Sequence, residues 1–385
     1  MSLQTTGPVH RLATRIVFFI AGYVTATWAV LVPYAKANTG VNEATLGSLL
    51  LCLGMGALVA MPLTGMLTSR YGCRKVIVTA LAMVILTTPL LAMITSPPLL
   101  AAALLLFGVG VGVTDCAMNI QAIIVERDAP GPVMSGFHGM YSVGGIAGAG
   151  AMTLLLTLGA SAPLACLIII LSVAIMLAAS LKGLLPWANP ASGPAFAIPR
   201  GVVLLIGAVC FAVFLAEGTV LDWSAVYLTE VRRVPESLGG LGFTCFAVAM
   251  TLLRLTGDKL IARIGAPRAV VGGALVAALG FAIVTLVPVW QLALLGYVLI
   301  GAGCANIVPV MFSAVGRQNR MPQSVAVPAI TTLGYLGVLA GPAVIGYVAY
   351  ATSLTQAFMI IMALMLVVAG FSLTVTSGQH AQREG

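Results

Sequence analysis

Charge is what this chain has least of. Only 7% of its 385 residues are Asp, Glu, Lys or Arg, and 60% are apolar. A soluble domain carries roughly 25% charged residues, so this chain cannot cover a water-facing surface, and its composition places it in a membrane. Histidine is nearly absent, with three residues at 10, 138 and 380, and the seven cysteines show no CxxC spacing. That pattern argues against a structural metal; all the cysteines except Cys73 lie in apolar runs, where Cys behaves as a small hydrophobe. The phosphate-binding pattern G-x-x-x-x-G-K-[ST] is missing, which argues against ATP-driven pumping. No nucleophile–base constellation stands out, so an enzyme is not expected, and no cofactor motif is found. The 43 glycines follow no triplet period, which excludes a fibrous chain.

What is present is a series of long apolar runs. The stretch Gly65-Met-Leu-Thr-Ser-Arg70-Tyr-Gly72-Cys-Arg74-Lys75 packs three cations into a tight glycine turn between runs at 40–68 and 76–94. Both runs are long enough to cross a bilayer, so the turn is the short loop joining two transmembrane helices. A related stretch recurs at Gly257-Asp258-Lys259-Leu-Ile-Ala-Arg263-Ile-Gly265-Ala-Pro-Arg268. Spans are expected at 16–35, 46–67, 76–94, 99–124, 135–158 and 163–181, then at 202–221, 241–261, 269–287, 292–316, 325–350 and 354–375. Ser96-Pro-Pro98 is expected to form the turn before the fourth span, because paired prolines cannot continue a helix. The first span has no A-x-A-like site and reads as a retained helix.

The expected fold is all-α: a polytopic membrane protein of twelve transmembrane helices in two pseudo-symmetric six-helix bundles, 1–181 and 201–385. A proline-bearing cytoplasmic linker, 182–200, joins them, and a short cytoplasmic tail follows. Lys and Arg near span ends favour the cytoplasmic side. With the basic turn and both termini inside, only Lys36, Arg232 and Arg233 of the 18 Lys and Arg residues fall outside. The formal charge of +8 therefore reports orientation and not a nucleic-acid partner. The halves also match in Ala26-Thr-Trp28 against Leu221-Asp-Trp223, and in Asn119 against Asn306. Tandem repeats of this kind suggest a transporter that opens alternately to either side.

Over essentially its whole length the chain resembles the major facilitator superfamily. The family's loop pattern is G-x-x-x-D-R/K-x-G-x-R/K-R/K; Gly65, Arg70, Gly72, Arg74 and Lys75 match it, with Ser69 at the aspartate. In the second half Arg263, Gly265 and Arg268 align, with Ala262 at the acidic position and Asp258 where the first glycine would be. The resemblance implies that these loops belong to the cytoplasmic gate, with the usual charge pair altered. Glu217-Gly-Thr-Val-Leu-Asp222-Trp-Ser-Ala-Val-Tyr-Leu and His138-Gly-Met-Tyr-Ser-Val-Gly-Gly resemble a bacterial inner-membrane branch related to fucose permease.

Asp115 is the sharpest functional candidate. It lies in Gly108-Val-Gly-Val-Gly-Val-Thr-Asp115 with no local cation, and Asn119 shares its helical face. A carboxylate at that depth faces a wet cavity or a partner, so it reads either as a protonatable group beside a polar solute or as a helix-packing residue. Glu217 is the second proton or solute ligand, and Asp222 reads as an outer cap or gate or equally as a plain surface carboxylate. Trp28 and Trp223 either stack on a solute ring or belong to the interfacial belt. His138 and Tyr141 share a face, as proton relay or packing. Arg254 near the inner end of its helix reads as an inner lock paired with Asp258 at i+4, or as a side chain snorkelling to the surface. Asn306 and Tyr335 are further lining candidates. Close glycine spacing in the fifth and eleventh spans permits tight helix crossings.

These residues point to secondary transport of a small polar, sugar-like solute by proton-coupled symport, in a monomer of the bacterial inner membrane surrounded by lipid. The family's glycine–proline antiporter pattern is missing from the fifth span, which favours uptake. Two alternatives are export of a sugar-like or amphipathic compound, and a non-transporting membrane sensor. A scarcity of mid-membrane Lys and Arg argues against a strongly anionic solute.

Overall fold

The computed structural model describes residues 5–190, 198–235 and 238–377, so part of the linker and the tail from 378 lie outside the described residues. Twelve α-helices appear among them. They are α1 (Pro8–Thr39), α2 (Glu43–Met93), α3 (Pro97–Arg127), α4 (Met134–Thr157), α5 (Ala162–Ser180), α6 (Val202–Val226), α7 (Leu241–Ile264), α8 (Ala266–Leu286), α9 (Trp290–Cys304), α10 (Ile307–Arg317), α11 (Gln323–Ala351) and α12 (Leu354–Ser377). Local chemistry sets several of the ends. Asn42 caps α2 by accepting from the Thr45 amide at 2.9 Å, and Ser161 caps α5 by accepting from Leu164 at 3.4 Å. Gly40, left-handed at φ 63°, closes α1.

Three features depart from the sequence expectation. Pro97 and Pro98 begin α3 and do not form a separate turn, because a first-turn proline lacks only an N–H that would be unsatisfied anyway. The tenth span is broken: α9 ends at Cys304 and α10 starts at Ile307. Helix α6 outruns its expected end and passes into a π-helical turn over Tyr227–Val231.

Ten helical stretches of the described residues are long and apolar enough to span a bilayer. One of them, Ser48–Met93, covers two passes, since α2 turns sharply at Gly72. Helix α7, which carries Arg254, Asp258, Lys259 and Arg263, is not among the ten. Twelve passes result, and the protein is a multi-pass membrane protein. Apolar exposure agrees with lipid as the solvent: α5 buries Cys166, Ile169 and Val173 but leaves Leu171 62% and Ile175 63% exposed.

The two basic loops turn alike. Gly72 has φ 80° and ψ 157°, and Gly265 has φ 83° and ψ 152°. L side chains rarely adopt that region. At Gly72 there is a second constraint, because a Cβ would collide with the Pro186 carbonyl.

Contacts divide the chain into two compact units. The first holds 1–130, 140–198 and 322–329, and the second holds 131–139, 199–321 and 330–385. In the first unit α1 and α4 cross closely: a Cβ on Gly144 would collide with the Phe19 carbonyl, and one on Gly148 with that of Tyr23. Helices held by such backbone approach need small residues at the crossing. In the second unit an aromatic cluster stacks Tyr227 on Phe358 at 4.7 Å, with Phe281 edge-on to Phe358 at 6.0 Å. Arg232 sits over the Tyr227 ring and donates to the Val284 and Thr285 carbonyls at 2.6 and 3.0 Å. A cation there satisfies carbonyls that the end of α8 leaves without helical donors.

Candidate functional site: a buried ion pair at a broken helix

The site in the second unit begins with a proline. Pro309 in α10 has no N–H to offer the carbonyl four residues back, which belongs to Ala305 at the break between α9 and α10. Arg254 of α7 supplies the missing donor, its Nε reaching that carbonyl at 3.1 Å. The same guanidinium turns its Nη2 toward Glu217 of α6, at 3.1 Å from Oε1. Both side chains are largely buried, 7% exposed for Arg254 and 16% for Glu217. One arginine thus joins a carboxylate and an orphan carbonyl where three helices meet. A buried charge pair is stable only when further hydrogen bonds support it, and the broken helix provides one.

Around the pair the packing is close. Asn306 is buried and donates from Nδ2 to the Leu253 carbonyl at 3.2 Å; its Oδ1 is buried with no hydrogen-bond partner among the described residues. A Cβ on Gly257 would collide with that oxygen, so only glycine lets the Asn306 side chain lie against α7. His138 of α4 places its ring 5.6 Å from that of Phe312. A Cβ on its neighbour Gly139 would come within 3.1 Å of the Leu255 amide nitrogen, so α4 passes directly against α7 beside Arg254.

One turn beyond Arg254, Asp258 has a separate task. Its carboxylate accepts from the Ser135 and Gly136 amides, both at 3.0 Å, at the first turn of α4. Those amides have no helical acceptor, and a negative charge at a helix start is favourable. The i+4 spacing of Arg254 and Asp258 suggests one intrahelical pair; the structure gives each residue a partner on another helix. Arg254 also lies past the middle of α7 with ten residues of helix beyond it, and not near its inner end.

The other candidates are spread out. Asp115 of α3 is half-buried in the first unit, and among the described residues nothing donates to its carboxylate. Asn119 is buried and turns its Nδ2 back to the Asp115 carbonyl at 2.9 Å, leaving Oδ1 buried with no partner among the described residues. Trp28 is buried against Phe107, with ring centroids 6.2 Å apart. Trp223 is half-buried beside Gly346, its Nε1 having no partner among the described residues, and Asp222 next to it is exposed. Tyr141 and Tyr335 are half-buried. Gly65 lies so close to the Ser324 carbonyl that a Cβ would collide with it. Arg70, Lys75 and Arg263 are exposed, whereas Arg74 donates from Nε to the Leu184 carbonyl at 2.9 Å.

The Ala305 carbonyl was not among the sequence candidates. Its signal was Pro309, four residues downstream inside an apolar run, together with the small residues of Gly301-Ala-Gly-Cys-Ala305.

The model of the Major Facilitator Superfamily matches residues 15–241. An uncharacterized MFS-type transporter from Yersinia pestis is 47% identical, over 96% of this chain and 97% of its own length. Among solved structures, the Escherichia coli fucose:proton symporter FucP is similar with a TM-score of 0.72 at 18% identity, covering 95% of this chain and 98% of that one. The human organic anion transporter MFSD10 is similar with a TM-score of 0.74 at 17% identity, covering 95% and 100%. At such identities the two structures show a shared fold.

Proposed function

Since the chain belongs to the major facilitator superfamily, and is therefore a secondary transporter and not an enzyme, we propose that it takes up a small polar, sugar-like solute together with a proton. The observation that carries this reading is the buried Glu217–Arg254 pair. While Glu217 is ionised, its charge and that of Arg254 compensate one another. Protonating Glu217 removes the carboxylate's charge and leaves the guanidinium in need of an acceptor. A solute rich in hydroxyl or carbonyl oxygens supplies one. Proton and solute then enter the same state of the protein and favour it jointly, which is the thermodynamic content of symport.

Asp115 is proposed as the second acidic group of the pathway, since among the described residues nothing donates to its carboxylate. A buried arginine also widens the solute class beyond the sequence expectation, because a carboxylated sugar would suit Arg254 better than a neutral one. In the proposed topology both termini face the cytoplasm across a bacterial inner membrane, and 1–181 and 201–385 form two bundles. The similar turns at Gly72 and Gly265 support a duplicated chain.

The reading is tested by screening the purified protein for thermal stabilisation by neutral and acidic sugars across pH. The hits are then assayed for uptake into proteoliposomes. A hit that accumulates only when an inward proton gradient is imposed supports it. Accumulation that ignores the gradient, or accumulation driven by an outward one, would replace symport by facilitated diffusion or by export.

A further inference from the structure

Helices α2 and α3 enclose an apolar groove of about 400 Å³ on the first unit. Its lining runs along α2 from Tyr71 and Lys75 past Thr79 to Met83, and includes Val109 and Val113 of α3. Eight residues of helix separate Lys75 from Met83, a rise of about 12 Å. Half of a bilayer's hydrocarbon core is about 15 Å. The groove therefore has the depth of one leaflet, with its cationic end at the level of the basic loop.

Among the described residues no acid compensates the charge at that end. No Asp or Glu occurs between Glu43 and Asp115, so the loop has three cations and no acid of its own. Arg74 is held by the Leu184 carbonyl. Arg70 lies 5.3 Å over the Tyr71 ring, which itself lines the groove mouth. Arg70 and Lys75 are exposed, and among the described residues neither has an ion-pair partner.

We propose that this groove is a binding site for one anionic phospholipid, with an acyl chain lying along Thr79 and Val109 and the headgroup phosphate held by Lys75 and Arg70. The positive end selects against zwitterionic lipids, and the apolar length selects against free phosphate. The site is built from the first unit and Glu217 and Arg254 belong to the second, so the proposal stands whether or not those residues couple a proton. In the proposed orientation it belongs to the cytoplasmic leaflet, whose anionic lipids attract basic residues close to the surface.

Native mass spectrometry of the full chain in detergent tests this by titrating phosphatidylglycerol, phosphatidylcholine of the same chains, and inorganic phosphate. The expected result is one tightly retained phosphatidylglycerol per protein. Lys75→Gln should weaken its retention about fivefold, the factor for one basic residue near an anionic surface. Thr79→Phe, an exposed position whose new ring would fill the groove, should weaken it as well; Leu171→Phe on the lipid-exposed face of α5 should not. Unchanged melting temperatures show that these variants fold. Equal retention of phosphatidylcholine, displacement by inorganic phosphate, or an equal effect of Leu171→Phe and Thr79→Phe would overturn the proposal.

Discussion

Glu217 and Arg254 stabilise the protein as a pair, and each is a liability alone. Replacing either by a neutral residue leaves the other buried without its counter-charge, which typically costs about 3–5 kcal/mol. Glu217→Gln and Arg254→Met are each expected to lower the midpoint of thermal inactivation in detergent, and the double variant to regain most of the loss. A double variant no more stable than the worse single one would show that the pair is not what holds these helices. Asp128, just beyond the end of α3, gives a pH-dependent counterpart. Burial pushes its carboxyl up, but hydrogen bonds from Thr6 and the Arg127 charge outweigh this and set it below the usual carboxylate range. A depressed carboxyl stabilises the fold above its ordinary range and loses that contribution as the pH falls through its folded value. The protection factor of the Thr6 amide, which donates to Asp128 at 2.8 Å, taken against the intrinsic exchange rate at each pH, should therefore be high at neutral pH and fall in acid. In Asp128→Asn that fall should vanish. The identities of Glu217, Arg254 and Asp258 as unusual charges were legible in the sequence, because so few charges interrupt the apolar runs. Their pairing was not: Glu217 and Arg254 are 37 residues apart, beyond the reach of the local i+4 rule.

The helices themselves were read from apolar length, and their ends were less accessible. Proline was decisive in two places, with opposite effects. At 97 it began a helix, while at 309 it freed a carbonyl and coincided with a break, and only the surrounding packing distinguishes these outcomes. The turning glycines were more legible, because a basic loop of two or three residues between spans needs backbone freedom. They also make a controlled comparison. Ala at Gly72 or Gly265 forces an L residue into nearly the same disfavoured conformation, a strain of about 1–3 kcal/mol. At Gly265 the nearest atom to an added Cβ is Pro267 Cδ at 3.8 Å, whereas at Gly72 the Pro186 carbonyl stands in the way. Gly72→Ala is thus expected to destabilise more than Gly265→Ala in parallel thermal melts; equal losses would remove the Pro186 contact from the explanation. Asp258→Ala, which strips the first turn of α4 of its acceptor, should cost about 1–2 kcal/mol, as other lost N-terminal caps do.

In the molecule as a whole, the contact units do not follow the chain in sequence. The segments 131–139 and 322–329 each cluster with residues from the opposite half of the sequence, and they begin 191 residues apart. That spacing is close to the one relating Gly72 to Gly265, which are 193 apart. A duplication could be seen in the loop motifs; the matched helix starts could not, since they depend on backbone approaches such as that of Gly65 to Ser324. In a background without other reactive thiols, cysteines at Ser69 and Arg263 should both be labelled from the cytoplasmic side only. Labelling from opposite sides would break the proposed topology.

The most direct test of proton-coupled uptake is solute-evoked proton movement in proteoliposomes that hold the protein in one orientation, followed with a pH dye. Adding the transported solute should alkalinise the external medium in the wild type, and Glu217→Gln should abolish that signal while solute still binds. Solute entry with no external pH change in the wild type, or an undiminished pH change in Glu217→Gln, would contradict the account.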